Sequence, residues 1–249
     1  MVGANLCLKN LRGLLAILII SWVLLSCSSS QRPQTSDILP MYGQPTILRS
    51  AAQQQADEQF IREATASYGS RKEASTVWFR KGQGFMHQYG QNYNSSNLDY
   101  AMLRYNQSWL LDPNNYQPFW GFARVLIEQG KFDQAIDNFK RAKELINDPY
   151  QEVALLSDMG TGYTLKAKQF PKDQVQDRER FFALANEHFT ASHTQDPTYD
   201  KVWGRWAWSL YLQGKYKEAW DKVKKGREAN IIFPSKFLKD LESKMPDPN

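Results

Sequence analysis

The chain has 249 residues, of which 42% are hydrophobic and 23% charged. That balance excludes wholesale disorder and leaves enough length to bury a core. Two cysteines, Cys7 and Cys27, are too few for a disulfide-stapled scaffold or a Cys₄ zinc site, and the net charge of +5 permits an anionic partner without demanding one.

Lys9 and Arg12 precede an almost unbroken apolar run from Leu14 to Leu25, with no acidic residue before it. A short basic region followed by a run of this length has the build of a secretory signal. A membrane-spanning helix would need ~20 apolar residues. The run ends at Leu24-Leu25-Ser26-Cys27. This resembles the lipobox of bacterial lipoproteins: an aliphatic residue, a tolerant position, a small residue, then Cys. The resemblance implies a signal peptide at 1–26, cleavage before Cys27, and acylation (palmitate-type chains) of the Cys27 thiol and the new amine. Several chains anchor stably because each buried CH₂ contributes ~0.8 kcal/mol. Ser28 after the Cys, rather than Asp, implies the outer membrane, with the body facing the periplasm. Loss of Lys9 and Arg12 leaves the mature chain at about +3.

Residues 27–50, rich in Ser, Gln and Pro, read as the lipidated Cys and a flexible tether. Residues 51–74 read as an N-terminal helix region. Ala51 to Tyr68 is Ala-, Gln- and Glu-rich, with Phe60, Ile61, Ala64 and Tyr68 roughly on one face.

Internal repeats follow. Asp112-Pro113, Asp148-Pro149 and Asp196-Pro197 each close an amphipathic stretch. Between them four segments share one spacing: Trp78, Lys81, Gly82, Phe85; Phe119, Phe122, Ala123, Leu126; Leu156, Met159, Gly160, Tyr163; and Trp203, Trp206, Ala207, Leu210. Only Lys81 breaks the apolar pattern. A second spacing, small–aromatic–small, appears as Ala101-Tyr105-Ser108, Ala135-Phe139-Ala142 and Ala185-Phe189-Ser192, and more loosely as Ala219-Val223-Gly226. Gln129-Gly130-Lys131-Phe132 and Gln213-Gly214-Lys215-Tyr216 stand where two helices would join. The pattern resembles the tetratricopeptide repeat (TPR). Small residues let paired helices approach, and large ones fill the gaps to the next pair. The expected fold is all-α: a TPR-like solenoid of about four repeats (75–115, 116–152, 153–199, 200–233) with extra N- and C-terminal helices. The C-terminal one, in 234–249, carries Phe237, Leu238, Leu241 and Met245 as a capping stripe.

Repeat starts near Ser75, Tyr116, Val153 and Asp200 are 41, 37 and 47 residues apart, against about 34 for the family. The surplus falls around Gln88–Asn97 and Gln169–Arg180, so both joining loops should be long. They read either as a partner-contacting rim or as tolerated surface drift.

Chemistry is sparse. His188 and His193 are five positions apart, not on one helix face as i, i+4 metal ligands would be. Gly82-Gln83-Gly84 and Gly160-Thr161-Gly162 lack the strand and the Lys-Ser/Thr ending of a phosphate loop. No cofactor, metal or catalytic residue is expected. The basic stretch from Gln213 to Asn230 reads as a solvated face or a contact for an anionic partner. By the resemblance, the concave groove is lined by Phe79, Gln83, His87, Gln117, Trp120, Arg124, Thr161, Lys201, Arg205, Trp208 and Tyr211. Trp and Arg dominate protein contacts, although Trp120 and Trp208 could instead pack inside the superhelix. The expected function is a non-enzymatic scaffold or adaptor (pilotin-like, hydrolase-adaptor-like or assembly-factor-like) that binds a protein or peptide in the envelope, without nucleic acid. The alternative is an envelope enzyme or ligand-binding protein acting on cell-wall material. Homo-oligomerisation through the aromatic repeats is a third reading.

Overall fold

The computed structural model describes Pro33 and residues 35–248. The signal segment, Cys27 and the start of the expected tether lie outside the described residues. Among the described residues there are ten α-helices and no strand, and no helix is long and apolar enough to cross a membrane.

Local signals set the helix ends. Helix α1 (Ala51–Tyr68) starts at Ser50, which forms a reciprocal capping box with Gln53. The Ser70 side chain caps α2 (Arg71–Asn92), and Tyr93 ends it in the left-handed region at φ 52. Helix α3 (Ser96–Leu111) stops where Asp112 turns extended. The Asn115 side chain caps α4 (Tyr116–Glu128). Helix α5 spans Phe132–Leu145. Asp148 then opens α6 (Pro149–Gln169), its carboxylate accepting from the Tyr150 and Gln151 amides with Pro149 in the first turn. Unlike Asp112-Pro113 and Asp196-Pro197, this Asp-Pro pair starts a helix as well as following one. Helix α7 (Val175–Gln195) ends at Asp196. Helices α8 (Val202–Leu212), α9 (Tyr216–Glu228) and α10 (Ser235–Glu242) complete the chain.

Helices α2–α3, α4–α5, α6–α7 and α8–α9 form four hairpins. The first helix of each later hairpin lies against both helices of the one before it. The first helices α2, α4, α6 and α8 therefore contact one another in succession and form one layer of a solenoid. Inside the hairpins the small residues meet rings. A Cβ on Gly160 would lie 2.7 Å from the Phe189 ring, and one on Gly82 would run into Tyr105. Ala101, Ala135, Ala185 and Ala219 are wholly buried. Buried hydroxyls tie the seam as well: Ser108 Oγ donates to the Ser75 carbonyl at 2.8 Å and Ser192 Oγ to the Val153 carbonyl at 2.9 Å. The exception, Lys81, stays exposed and lays its ammonium 3.7 Å above the Trp78 ring. The fold is thus an all-α, TPR-like helical solenoid with an extra helix at each end.

The joining turns differ from expectation. The short hairpins close at Gly130 (φ 72) and Gly214 (φ 77). In both, the amide after the glycine reaches back five residues, Lys131 to Leu126 and Lys215 to Leu210. The other two hairpins do not have long loops. Only Tyr93–Ser95 and Phe170–Gln174 join their helices. The surplus residues instead prolong the helices: α2 runs on past Gly82 to Asn92 and α6 past Gly160 to Gln169, whereas α4 and α8 stop at Glu128 and Leu212. Added turns of paired helix satisfy their own backbone groups, which a loop would leave to water.

The expected tether also needs correction. Residues 35–50 are docked, through two short 3₁₀ turns, Thr35–Ile38 and Pro40–Gly43. Asn106, wholly buried on α3, donates to the Asp37 and Leu39 carbonyls at 2.8 Å and accepts from the Tyr42 amide at 3.2 Å. Tyr42 is buried beneath the Arg49 guanidinium, 4.1 Å from its ring, and Arg49 pairs with Asp57 of α1. One amide side chain therefore satisfies the backbone of a segment with few apolar residues. At the N-terminal end, Ala64 of α1 is buried with Ala74 and Leu111, and Phe60 packs edge-on to Trp78 at 5.1 Å. At the C-terminal end, Leu241 is buried, Phe237, Leu238 and Met245 pack beside it, and the Trp220 indole donates to the Met245 carbonyl at 2.9 Å.

Candidate partner-binding groove

The first-helix layer gathers a small set of polar groups. On α6 the stretch from Val153 to Leu165 holds one charged residue, Asp158. Its carboxylate accepts from the Trp120 indole of α4 at 2.8 Å and pairs with Arg205 of α8 at 2.5 Å. Arg205 also donates to Ser157 Oγ at 3.0 Å. Asp158 thereby ties three hairpins together, its side chain 14% exposed and that of Arg205 37% exposed. Beside it opens a cavity of about 170 Å³, lined by Met86, Arg124, Ile127, Glu128, Phe139, Asp158, Thr161 and Arg205. Nearby, burial pushes the Tyr199 hydroxyl pKa up. Arg205 and Arg124 pull it down, whereas Asp158 and Asp200 push it further up.

Four of the eleven sequence-predicted groove residues meet here: Trp120, Arg124, Thr161 and Arg205. Arg124 is exposed, and Thr161 is half-buried with its hydroxyl donating to the Ser157 carbonyl. Phe79 does not line a groove. It is buried with its ring 5.5 Å from Tyr105, because α2 turns this position onto the hairpin seam. Tyr211 also leaves the set, since it packs 5.9 Å from both Tyr216 and Phe237, against the C-terminal helix. Gln117 belongs to the capping turn of α4, where its carbonyl oxygen accepts from Asn115. Gln83 and His87 are exposed on α2, Lys201 is exposed just before α8, and Trp208 is half-buried on α8; none lines the cavity. Sequence reasoning missed Asp158. Its signal was present: a lone carboxylate in an otherwise uncharged helical run, one turn before the groove position Thr161.

The arrangement offers two guanidinium groups, two carboxylates and apolar walls from Met86 and Ile127. Such a surface suits directional contacts with a polar peptide. Among the described residues no group of three or more His, Cys, Asp or Glu is placed to hold a metal ion. His188 packs edge-on to Tyr163 at 5.1 Å, and His193 lies 4.5 Å from the Trp203 ring. The basic stretch of α9 folds partly onto the aromatics of α8 and onto the C-terminal tail. Lys222 sits 3.6 Å over Trp206, and Arg227 pairs with Asp247 at 2.8 Å.

No family model matches the sequence, and no curated protein matches it. Among solved structures the chain is similar to MamA, with 16% identity over 78% of this chain and 99% of that one, at a TM-score of 0.45. It is also similar to pilF of Pseudomonas aeruginosa, with 15% identity over 71% of this chain and 86% of that one, at a TM-score of 0.47.

Proposed function

We propose that the chain is a non-enzymatic envelope lipoprotein, acylated at Cys27, whose solenoid binds a protein or extended peptide as a scaffold or adaptor. The reading of the anchor rests on Lys9, Arg12, the apolar run Leu14 to Leu25 and Ser26-Cys27. With Ser28 next, the anchored body sits at the outer membrane facing the periplasm. One observation carries the binding reading. Asp158 holds Trp120 and Arg205 in place across three first helices, so Trp and Arg, the residue types richest in binding energy, stand pre-oriented at the inner face.

The anchor is tested by fatty-acid labelling of cells that express Cys27→Ser. The precursor stays uncleaved and unlabelled if Cys27 is the acylated residue; normal labelling removes the anchor from the proposal. The groove is tested by crosslinked pull-down from envelopes with Trp120→Ala/Arg124→Ala. That variant releases the co-purifying partner while far-UV circular dichroism stays unchanged, and retained binding moves the interface elsewhere.

A further inference from the structure

The third hairpin outreaches the fourth. Helices α6 and α7 have 21 residues each, whereas α8 and α9 have 11 and 13. The excess lies at the turn end, because the helices meet at Gly160–Phe189 and the prolongation runs from there toward Phe170–Gln174. The N-terminal half of α7 therefore overhangs the turn of the fourth hairpin, and a notch of about 620 Å³ opens between them. That size falls within the range of ligand-binding clefts, ~300–1,000 Å³.

The notch has an apolar floor and a basic rim. Phe182 is buried, Leu212 is half-buried, and Val175 at the lip is 53% exposed. Lys172, Arg178 and Lys215 line it against one carboxylate, Glu179. None of the three cations has an ion-pair partner among the described residues. Arg178 is pre-oriented, donating to the Phe170 carbonyl at 3.1 Å with its guanidinium 5.6 Å from the Phe182 ring. The inner wall is fixed by a closed polar chain. Asn186 Nδ2 donates to Gln213 Oε1 at 3.0 Å, Gln213 Nε2 to Ser209 Oγ at 3.2 Å, and the Trp206 indole to Asn186 Oδ1 at 3.2 Å. The wall thus spends its polar groups on itself and presents a rigid shape.

We propose that this notch docks an acidic amphipathic segment of a partner protein. An apolar side chain enters between Val175 and Leu212 over Phe182, and flanking carboxylates meet Lys172, Arg178 and Lys215. Charge complementarity argues for this occupant. The chain's own undescribed residues cannot supply it, since 1–32, 34 and 249 contain no Asp or Glu. A second copy of the mature chain, which carries about +3 overall, is repelled at long range by the same rim. The site is separate from the Trp120–Asp158–Arg205 face and does not depend on that reading.

The test uses the chain from Ser28 onward, which contains the whole packed body, to select from a random-peptide display library. Counter-selection uses Val175→Asp/Lys215→Glu, two surface changes that leave the seam untouched. Enriched peptides should carry an aliphatic or aromatic residue within one helical turn of Asp or Glu. A synthetic copy should bind the wild-type chain and lose about ten-fold or more in affinity against the double variant, with binding that weakens as salt rises. Trp120→Ala/Arg124→Ala should leave this peptide's affinity unchanged. Enriched peptides without acidic residues, affinity indifferent to the double variant, or the absence of any notch-dependent peptide would each overturn the proposal. So would concentration-dependent light scattering abolished by Val175→Asp/Lys215→Glu, which gives the notch to a second copy. Co-sedimentation with phosphatidylglycerol vesicles that is lost in that variant gives the notch to a membrane and equally overturns the proposal.

Discussion

Gly160 meets the Phe189 ring inside its own hairpin with no room for a methyl group, whereas Asp158, two residues earlier on the same helix, reaches Trp120 and Arg205 in the hairpins on either side. The two contacts obey different physics. The first is a fit of volumes in a dry seam, where any added or missing atom is felt. The second is a set of directional bonds at a partly wet face, where solvent screens charge and shares the hydrogen bonding. Stability should therefore be concentrated in the seam, and recognition on the inner face.

The sharpest break of that comparison is at Tyr105. It is wholly buried, packs against Phe79 and Phe122, and fills the space left by Gly82 and Gly121. Its hydroxyl is buried without a partner, and burial pushes its pKa far above the usual phenol range. Tyr105→Ala should cost about 3–5 kcal/mol in urea unfolding followed by circular dichroism. Tyr105→Phe should be neutral or stabilise by up to ~1 kcal/mol, because it removes a polar group that has lost its water. A costly Tyr105→Phe would mean that the hydroxyl is bonded and that water reaches the seam.

The same contrast explains what could be read from the sequence. The seam was legible because its spacing is local: Ala101, Tyr105 and Ser108 sit on one helix face whatever lies beyond them. The docked N-terminal segment was not, because Asn106 recognises the backbone of Asp37, Leu39 and Tyr42, more than sixty positions away. A Ser-, Gln- and Pro-rich composition says little about a segment held by its main chain. The overhang at the third hairpin was visible as surplus length but misassigned to a loop, since length alone does not distinguish a longer turn from two longer helices. Phe79 and Trp78 are adjacent large aromatics, and only the position of α1 decides that Trp78 serves the end seal while Phe79 enters the seam. At the candidate site, Trp120, Arg124, Thr161 and Arg205 were reachable from the repeat register. Asp158 was not, because its role depends on partners 38 and 47 residues away on other hairpins.

Asp158→Ala probes the other side of the comparison with a smaller effect. It strips one partner from the Trp120 indole and from Arg205, but neither residue is fully buried. The expected cost is about 1 kcal/mol, well below that of Tyr105→Ala, with helix content unchanged by circular dichroism. The pull-down partner should be lost all the same, because Trp120 and Arg205 are then no longer held in position. A cost as large as that of Tyr105→Ala would place Asp158 among the supports of the solenoid and remove it from the recognition surface.

The smallest effect lies between the two regions, at the histidines of α7. Burial lowers the His188 pKa, with Glu187 raising it and Lys143 lowering it; burial also lowers that of His193, helped by Lys225 and Lys222. Each ring has one nitrogen buried without a partner, Nε2 of His188 and Nδ1 of His193. Above pH ~6.5, the unperturbed histidine value, both the folded and unfolded forms are neutral, and the packing of these rings contributes in full. As the pH falls below that value, the unfolded chain takes up protons that the folded chain resists, so stability declines toward the lowered folded pKa. Thermal unfolding between pH 7.5 and pH 5.5 stays above the usual carboxylate range and isolates this effect. The midpoint should fall on acidification in the wild-type chain, and the fall should flatten in His188→Gln/His193→Gln. An unchanged slope in the double variant would assign the acid sensitivity to other groups. It would also show that the α7 rings are wetted like the inner face, not sealed like the seam.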